Sequence, residues 1–347
     1  MNSATNEIAG YSISTGTLTA LSGSPYTPAS PLLGTSAITV APNNKFLYVS
    51  TAAGIYLYTI GSTGALTLGN GGSAIATDQA VSLQVDKNNE WLVEVASGDS
   101  NAYALPIDSS TGLLTSTVKQ YVALPASTAR QVAIAPDDSY VFVAMGTGGT
   151  ATIPFTAGNT NPFGTVSTIA PVGTGGAAQS VAVDPIVSGQ TAPRLFYIGE
   201  TVATSGSNTG GLRVFNYSTF AELTGSPLAT QGLAPYSILP KSTGDYVYVA
   251  NRQVSGSSTG VIAGYSISAS GTTYTVTALS STTTAGTHPV ALAEENEGNY
   301  LLAVNYDGSP DLLGFTFDST TGGKLDKAIS SATGTDPVQA CAIAATH

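Results

Sequence analysis

Few side chains in this sequence can move a proton or grip a charged ligand. It has two histidines in 347 residues. His288 stands in a Thr-His-Pro step, and an imidazole titrating near neutral pH suits a general base. It also reads as a turn residue making one hydrogen bond. His347 is the last residue, where fraying is expected. The densest acidic cluster is Glu294-Glu-Asn-Glu297. With His288 and Asp307, Glu294 could hold a divalent cation such as calcium, because hard cations take carboxylate oxygens, or serve as an acid–base group. A solvated turn is the plainer reading. The arginines Arg130, Arg194, Arg213 and Arg252 each fall near the end of an apolar stretch. A guanidinium grips a carboxylate with two parallel hydrogen bonds, so Arg130 and Arg252 are candidates to hold a carboxylate or sugar acid. Arg194 and Arg213 read as braces between strands.

Other chemistries find no support. The lone Cys341 allows neither an internal disulfide nor a cysteine-based zinc site, and its neighbours Ala340, Ala342 and Ile343 suggest a small buried apolar residue. Gly173-Thr-Gly-Gly176 and the glycines of 146–149 lack the Lys-Ser/Thr and the helix of a phosphate loop. No Gly-x-Ser-x-Gly elbow sits on a strand–helix turn. Asp307-Gly-Ser-Pro-Asp311 lacks the acid spacing and closing Glu of a calcium loop. The net charge of −11 with ten Lys plus Arg argues against nucleic acid, whose binding needs clustered cations. No stretch approaches the ~18 apolar residues of a membrane span. The expected partner is a small molecule, a glycan or a protein.

The elements that must position these groups repeat along the chain. An apolar pair two residues apart recurs as Ile38/Val40, Leu83/Val85, Val132/Ile134 and Val181/Val183, then at Ile238 and Leu292, with a last copy in 338–343. The first members are spaced 45, 49, 49, 57 and 54 residues apart. A second, aromatic and β-branched run follows each of the first six, as in Phe46-Leu-Tyr-Val-Ser50 and Tyr246-Val-Tyr-Val-Ala250. A third run occupies 8–13, 55–60, 102–107, 150–155, 212–217, 261–267 and 312–317. A weaker fourth follows most of them, as at Gly16–Leu21, Gly64–Thr67, Gly112–Thr115 and Gly323–Leu325. The fold expected is all-β, a seven-bladed β-propeller over 1–347, because each repeat hides its faces only against its neighbours. Closure is expected from one blade split between 1–25 and 335–347, with Pro337–Ala344 as its inner strand. That blade lacks a second run, and Met1-Asn2 falls where Ala250-Asn251 falls, so the N-terminus reads as cut within a strand. Its unpaired edges could accept a strand from another chain, a route to self-association.

The phrases Tyr246-Val-Tyr-Val-Ala-Asn251 and Phe46-Leu-Tyr-Val-Ser50 resemble YVTN-type propeller repeats. Together with Thr287-His-Pro-Val-Ala-Leu292 and Leu301-Leu-Ala-Val-Asn-Tyr-Asp-Gly308, they resemble the lactonase-like seven-bladed propellers, which include 6-phosphogluconolactonase. The resemblance implies an Arg-His pair before an inner strand and a Glu after a second strand. Arg130 matches the Arg and Glu200 the Glu, whereas Gln131 stands at the His position and the next blade has Gln179-Ser180. As a lactone hydrolase of a sugar lactone, the chain would use Arg130 as anion anchor and Glu200 as acid–base group, with His288 as a substitute base. The missing histidine and few titratable groups favour instead a binding or surface-structural module, with Arg252, Glu294 and Asp307 as ligand contacts and no obligatory cofactor. The Thr/Ser/Gly-rich, lysine-poor acidic composition suggests a bacterial extracytoplasmic setting, secreted or at the cell surface.

Overall fold

The computed structural model describes residues 1–307, 311–318, 320–330 and 339–347. Strand makes up 49% and helix 2% of the protein, which settles the all-β class. Six antiparallel four-stranded blades follow one another. Blade 1 comprises Ile38–Val40, Phe46–Thr51, Gly54–Ile60 and Leu66–Leu68; blade 2 comprises Ala80–Val85, Trp91–Ala96, Asn101–Pro106 and Gln120–Ala123. Blade 3 runs Gln131–Ile134, Tyr140–Ala144, Thr150–Pro154 and Ser167–Ile169, and blade 4 runs Ala178–Val183, Leu195–Glu200, Gly211–Asn216 and Leu228–Ala229. Blade 5 has Leu233–Pro240, Tyr246–Gln253, Thr259–Ser270 and Thr273–Ala278; blade 6 has Thr283–Glu294, Tyr300–Asp307, Leu312–Phe317 and Leu325–Ser330. A seventh unit holds the hairpin Tyr11–Ser14 and Thr17–Ala20.

Blade stacking dictates the sequence pattern. A second strand is covered on both faces, so it reads as a continuous apolar run: Tyr48, Val49, Leu92, Val93, Val141 and Phe142 are all fully buried. In blade 2, Trp91, Val93 and Val95 pack on blade 3, while Leu92 packs on blade 1. Two further clusters join the seventh unit to its neighbours: Tyr11, Ile13, Leu18 and Ala340 pack on blade 6, and Met1, Ile8, Cys341 and Ala342 pack on blade 1. Aromatic edges add polar ties between blades. The hydroxyl of Tyr48 donates to the Gly112 carbonyl at 2.9 Å, that of Tyr248 to the Gly323 carbonyl at 2.8 Å, and the Trp91 indole to the Ala157 carbonyl at 2.7 Å. These buried polar tips are satisfied while their rings fill the interface.

The innermost strands are stitched around the channel by Ser and Gln side chains. Ser82 Oγ and Gln84 Oε1 of blade 2 accept the Val132 and Ile134 N–H groups at 3.1 and 2.8 Å. Gln131 Oε1 accepts the Val181 N–H at 3.1 Å, Ser180 Oγ donates to the Pro235 carbonyl at 2.7 Å, and Ser237 Oγ accepts the Leu292 N–H at 3.1 Å. Edge groups that would otherwise face the channel are thereby used between blades.

Three features depart from expectation. Gly112–Thr115 is no fourth strand: Leu114 makes an isolated bridge to Ile107, and the outer strand of blade 2 is Gln120–Ala123. Gly112 is a turn glycine pressed on Phe46, with φ +73°, and its carbonyl serves Tyr48. Blades 5 and 6 join into one sheet, because Thr259–Ile262 pairs with Thr283–Thr287 above the blades. In the seventh unit, positions 337 and 338 of the expected inner strand lie outside the described residues. Residues 339–344 carry a single bridge, Asn2 to Ala340, rather than a strand. Among the described residues, no helix is long and apolar enough to cross a membrane.

Candidate functional site

The inner strands surround a cavity of about 760 Å³. At one end, where inner strands begin and second strands finish, it is lined by Arg130, Arg252, Tyr236, Tyr306, Gln131 and Gln179. Arg252 lies at the end of the blade 5 second strand, whose pairing of Pro235 with Asn251 sets it beside the start of the blade 5 inner strand. Its Nη1 donates to the Tyr236 hydroxyl at 3.1 Å, and its guanidinium lies 5.0 Å from the Tyr236 ring and 5.5 Å from the Tyr306 ring. Two aromatic faces thus fix the arginine through its π-cloud contacts while leaving most of its N–H groups undirected. Arg130 is exposed, one residue before the blade 3 inner strand, and its backbone N–H is held by the Ala144 carbonyl at 2.9 Å. Neither arginine has a carboxylate within salt-bridge distance among the described residues. Among the described residues, no Asp or Glu lines this cavity.

The remaining candidates are placed elsewhere. His288 Nδ1 meets Asp307 Oδ2 at 2.7 Å, a pairing across the first two strands of blade 6. His288 adopts φ +51° and its N–H donates to the Ser258 carbonyl at 3.2 Å, so its backbone is fixed in the left-handed region at the rim. Neither His288 nor Asp307 lines the cavity. Glu294 is at the other end of the same inner strand, where it pairs with Lys241 Nζ at 3.1 Å and accepts the Ser242 N–H at 2.6 Å. Its neighbour Glu295 accepts the N–H groups of Glu297 at 2.7 Å and Tyr300 at 3.1 Å, and that of Asn299. The acidic cluster therefore caps a turn. Asp86 does the same in blade 2, accepting from Asn88, Glu90 and Trp91. Among the described residues no three His, Cys, Asp or Glu side chains converge as a metal site. Where fraying is expected, His347 is held in place: its N–H donates to Asn44 Oδ1 at 2.8 Å, and it lines the opposite end of the cavity.

Glu200 is fully buried between blades, 3.5 Å from Arg213 Nη1. Arg213 is itself committed to Glu222 at 2.7 Å and to the Ala170 carbonyl at 2.7 Å. Burial pushes the Glu200 carboxyl up to about 7, against the pull of Arg213. It too is absent from the channel lining. The brace roles expected of Arg194 and Arg213 are realised, Arg194 holding Asp184 through Nε at 3.1 Å and Nη2 at 3.0 Å.

Sequence reasoning missed Glu94. It stands within the second strand of blade 2, fully buried, and burial followed by the neighbouring Asp78 charge pushes its carboxyl up to about 8. Lys119 Nζ lies 3.7 Å from Glu94 and 2.7 Å from Asp78, over the Tyr103 ring. The only signal was an acid inside an apolar run, Trp91-Leu-Val-Glu-Val95.

Solved structures agree with the architecture. A candidate 6-phosphogluconolactonase of Bacteroides fragilis NCTC 9343 superposes with a TM-score of 0.68 at 16% identity, over 94% of this chain and 89% of its own. A second, from Bacteroides uniformis ATCC 8492, gives 0.69 at 15% identity, over 94% and 91%. A hydrazine synthase of Kuenenia stuttgartiensis gives 0.56 at 14%, over 82% and 77%. At such identities the likeness is one of fold. No curated protein sequence matches. The family model described as lactonase, 7-bladed beta-propeller, matches residues 1–132 and 196–340, leaving out most of blade 3 and the inner strand of blade 4. With most of its length so matched, the chain belongs to the lactonase family of seven-bladed β-propellers.

Proposed function

We propose that this propeller is a binding module for a small carboxylate-bearing ligand, such as a sugar acid, seated at the arginine-lined end of the central channel. One observation carries the reading. In a chain of net charge −11, Arg130 and Arg252 line the channel and, among the described residues, no Asp or Glu does. A concave, low-dielectric site lined by one sign of charge focuses its field on the opposite charge. Arg252, preset between two tyrosine rings, loses little freedom on gripping a carboxylate in bidentate fashion. Opening a lactone additionally needs a base to activate water. The two groups nearest to that role, His288 paired with Asp307 and Glu200 paired with the Arg213 cation, are both engaged outside the channel lining. The lysine-poor Thr/Ser/Gly composition supports an extracytoplasmic setting for such a module.

The test is a calorimetric titration with gluconate and benzoate, beside glucose and benzyl alcohol, together with a weakly buffered assay for acid release from sugar and aromatic lactones. Carboxylates are expected to bind and the neutral analogues not, with no acid release above spontaneous hydrolysis. Equal binding of neutral analogues refutes the anion site. Catalysed acid release makes the chain a hydrolase instead.

A further inference from the structure

Three glutamines line the central channel: Gln84 on the inner strand of blade 2, Gln131 on that of blade 3 and Gln179 on that of blade 4. Two of them are oriented by the stitching between blades. Gln84 Oε1 accepts the Ile134 N–H at 2.8 Å, and Gln131 Oε1 accepts the Val181 N–H at 3.1 Å. A backbone N–H can only donate, so the atom beside it must be the amide oxygen, and the NH2 group is turned the other way. Among the described residues neither NH2 group finds an acceptor. Each side chain thus gives its acceptor to the fold and keeps its donors for the cavity it lines.

The two amides stand at different depths. Val132 and Ile134 of blade 3 correspond to Val181 and Val183 of blade 4 in the repeat. Gln131 is bonded at the first of these levels and Gln84 at the second, two residues farther from the arginine-lined end. At a rise of about 3.3 Å per residue, Gln84 lies about 7 Å deeper than Gln131. Gln131 follows Arg130 directly and can add a donor to a carboxylate held there. Gln84 has no such company: among the described residues, Arg130 and Arg252 are the only Lys or Arg side chains lining the cavity. The His347 imidazole at the far end faces the Val40 carbonyl at 3.4 Å. A second carboxylate beside Gln84 would lose its water without gaining a countercharge, which is costly. A neutral acceptor escapes that cost, and a group that can only donate suits a carbonyl oxygen.

We infer that the channel selects an oxo acid: a carboxylate at the arginines, joined by a short chain to a neutral carbonyl that Gln84 Nε2 receives. The inference rests on the carboxylate reading above and adds Gln84 as the residue that chooses among carboxylates. A few precisely placed polar groups of this kind fix orientation and specificity in ligand pockets.

The experiment is a calorimetric titration of 6-oxoheptanoate, heptanoate and gluconate into wild type, Gln84→Met and Gln84→Glu at about pH 8.5. The first two acids differ by one carbonyl. Wild type is expected to bind the oxo acid about 3- to 10-fold more tightly than heptanoate, the value of one neutral hydrogen bond. In Gln84→Met, which lacks the amide, the preference should vanish while heptanoate binds as in wild type. Gln84→Glu keeps an oxygen for the Ile134 N–H, so the stitch between blades survives, but it offers the carbonyl a repelling carboxylate. The preference should be lost there too. A merely structural Gln84 would instead leave the preference intact in Gln84→Glu. That result, or equal binding of the two acids by a wild type that takes up gluconate, overturns the inference and leaves the carboxylate site standing. If none of the three acids binds wild type, the carboxylate site falls and the inference with it.

Discussion

Glu200 separates a catalytic carboxylate from a structural one, and Glu200→Gln makes the distinction measurable. The unfolded chain releases the Glu200 proton near the ordinary glutamate value of 4.5, while burial makes the folded protein hold it to about 7. Between those values the unfolded state binds fewer protons, so stability falls as pH rises through the window and the full loss is present above 7. The raised pKa spans about 2.5 pH units, and at about 1.36 kcal/mol per unit the ceiling is about 3 kcal/mol. The amide keeps the shape of the acid and cannot ionise. Its unfolding free energy is therefore expected within about 1 kcal/mol of wild type at pH 4.5 and up to about 3 kcal/mol above it at pH 8.5. Urea unfolding of both proteins at half-unit pH steps, read by the single tryptophan Trp91, gives the two curves. Carboxylate binding in the channel should be unchanged, because Glu200 does not line it. A variant whose deficit is constant, or grows with pH, would mean that Glu200 is ionised throughout as the counter-ion of Arg213. The reasoning would then fail.

Glu94→Gln is expected to flatten stability in the same sense over the wider window between 4.5 and about 8, since the folded protein keeps that carboxyl neutral beside Asp78; parallel wild-type and variant curves would contradict it. Asp184→Ala leaves Arg194 and the Tyr197 hydroxyl without their buried acceptor, at 3.0 and 2.7 Å. It should cost about 3–5 kcal/mol in a denaturant titration, and a loss under about 1 kcal/mol would show the brace to be dispensable.

The repeat was legible because stacked blades force a continuous apolar second strand, and Phe46-Leu-Tyr-Val, Trp91-Leu-Val and Tyr246-Val-Tyr-Val all announce it. The outer strand of blade 2 was misplaced because Gly112-Leu-Leu-Thr copies the pattern of a fourth strand while serving as a turn beneath Phe46. Outer strands are half-exposed, and their weak alternation competes with turn chemistry. The ladder between Thr259–Ile262 and Thr283–Thr287 lay hidden in Ser/Thr/Gly composition that reads as loop. At the site, Arg130 and Arg252 could be put at strand ends from spacing, but the tyrosine clamp on Arg252 joins side chains from blades 5 and 6. Such pairs across blades have no local signature. The acidic run at Glu294–Glu297 was chemically loud and structurally quiet: its carboxylates cap the turn and tie it to Lys241 and Ser242.

The central claim is that Arg130 and Arg252, which have no carboxylate partner among the described residues, hold a carboxylate in the channel. Gluconate titrated into wild type, Arg252→Ala and Arg252→Lys tests it most directly. Loss of a charge-assisted pair corresponds to about 10- to 100-fold in Kd, so Arg252→Ala should weaken binding by that factor. Arg252→Lys should recover only part of it, because an ammonium lacks the planar fork. Gluconate affinity that is the same in all three proteins would contradict the account.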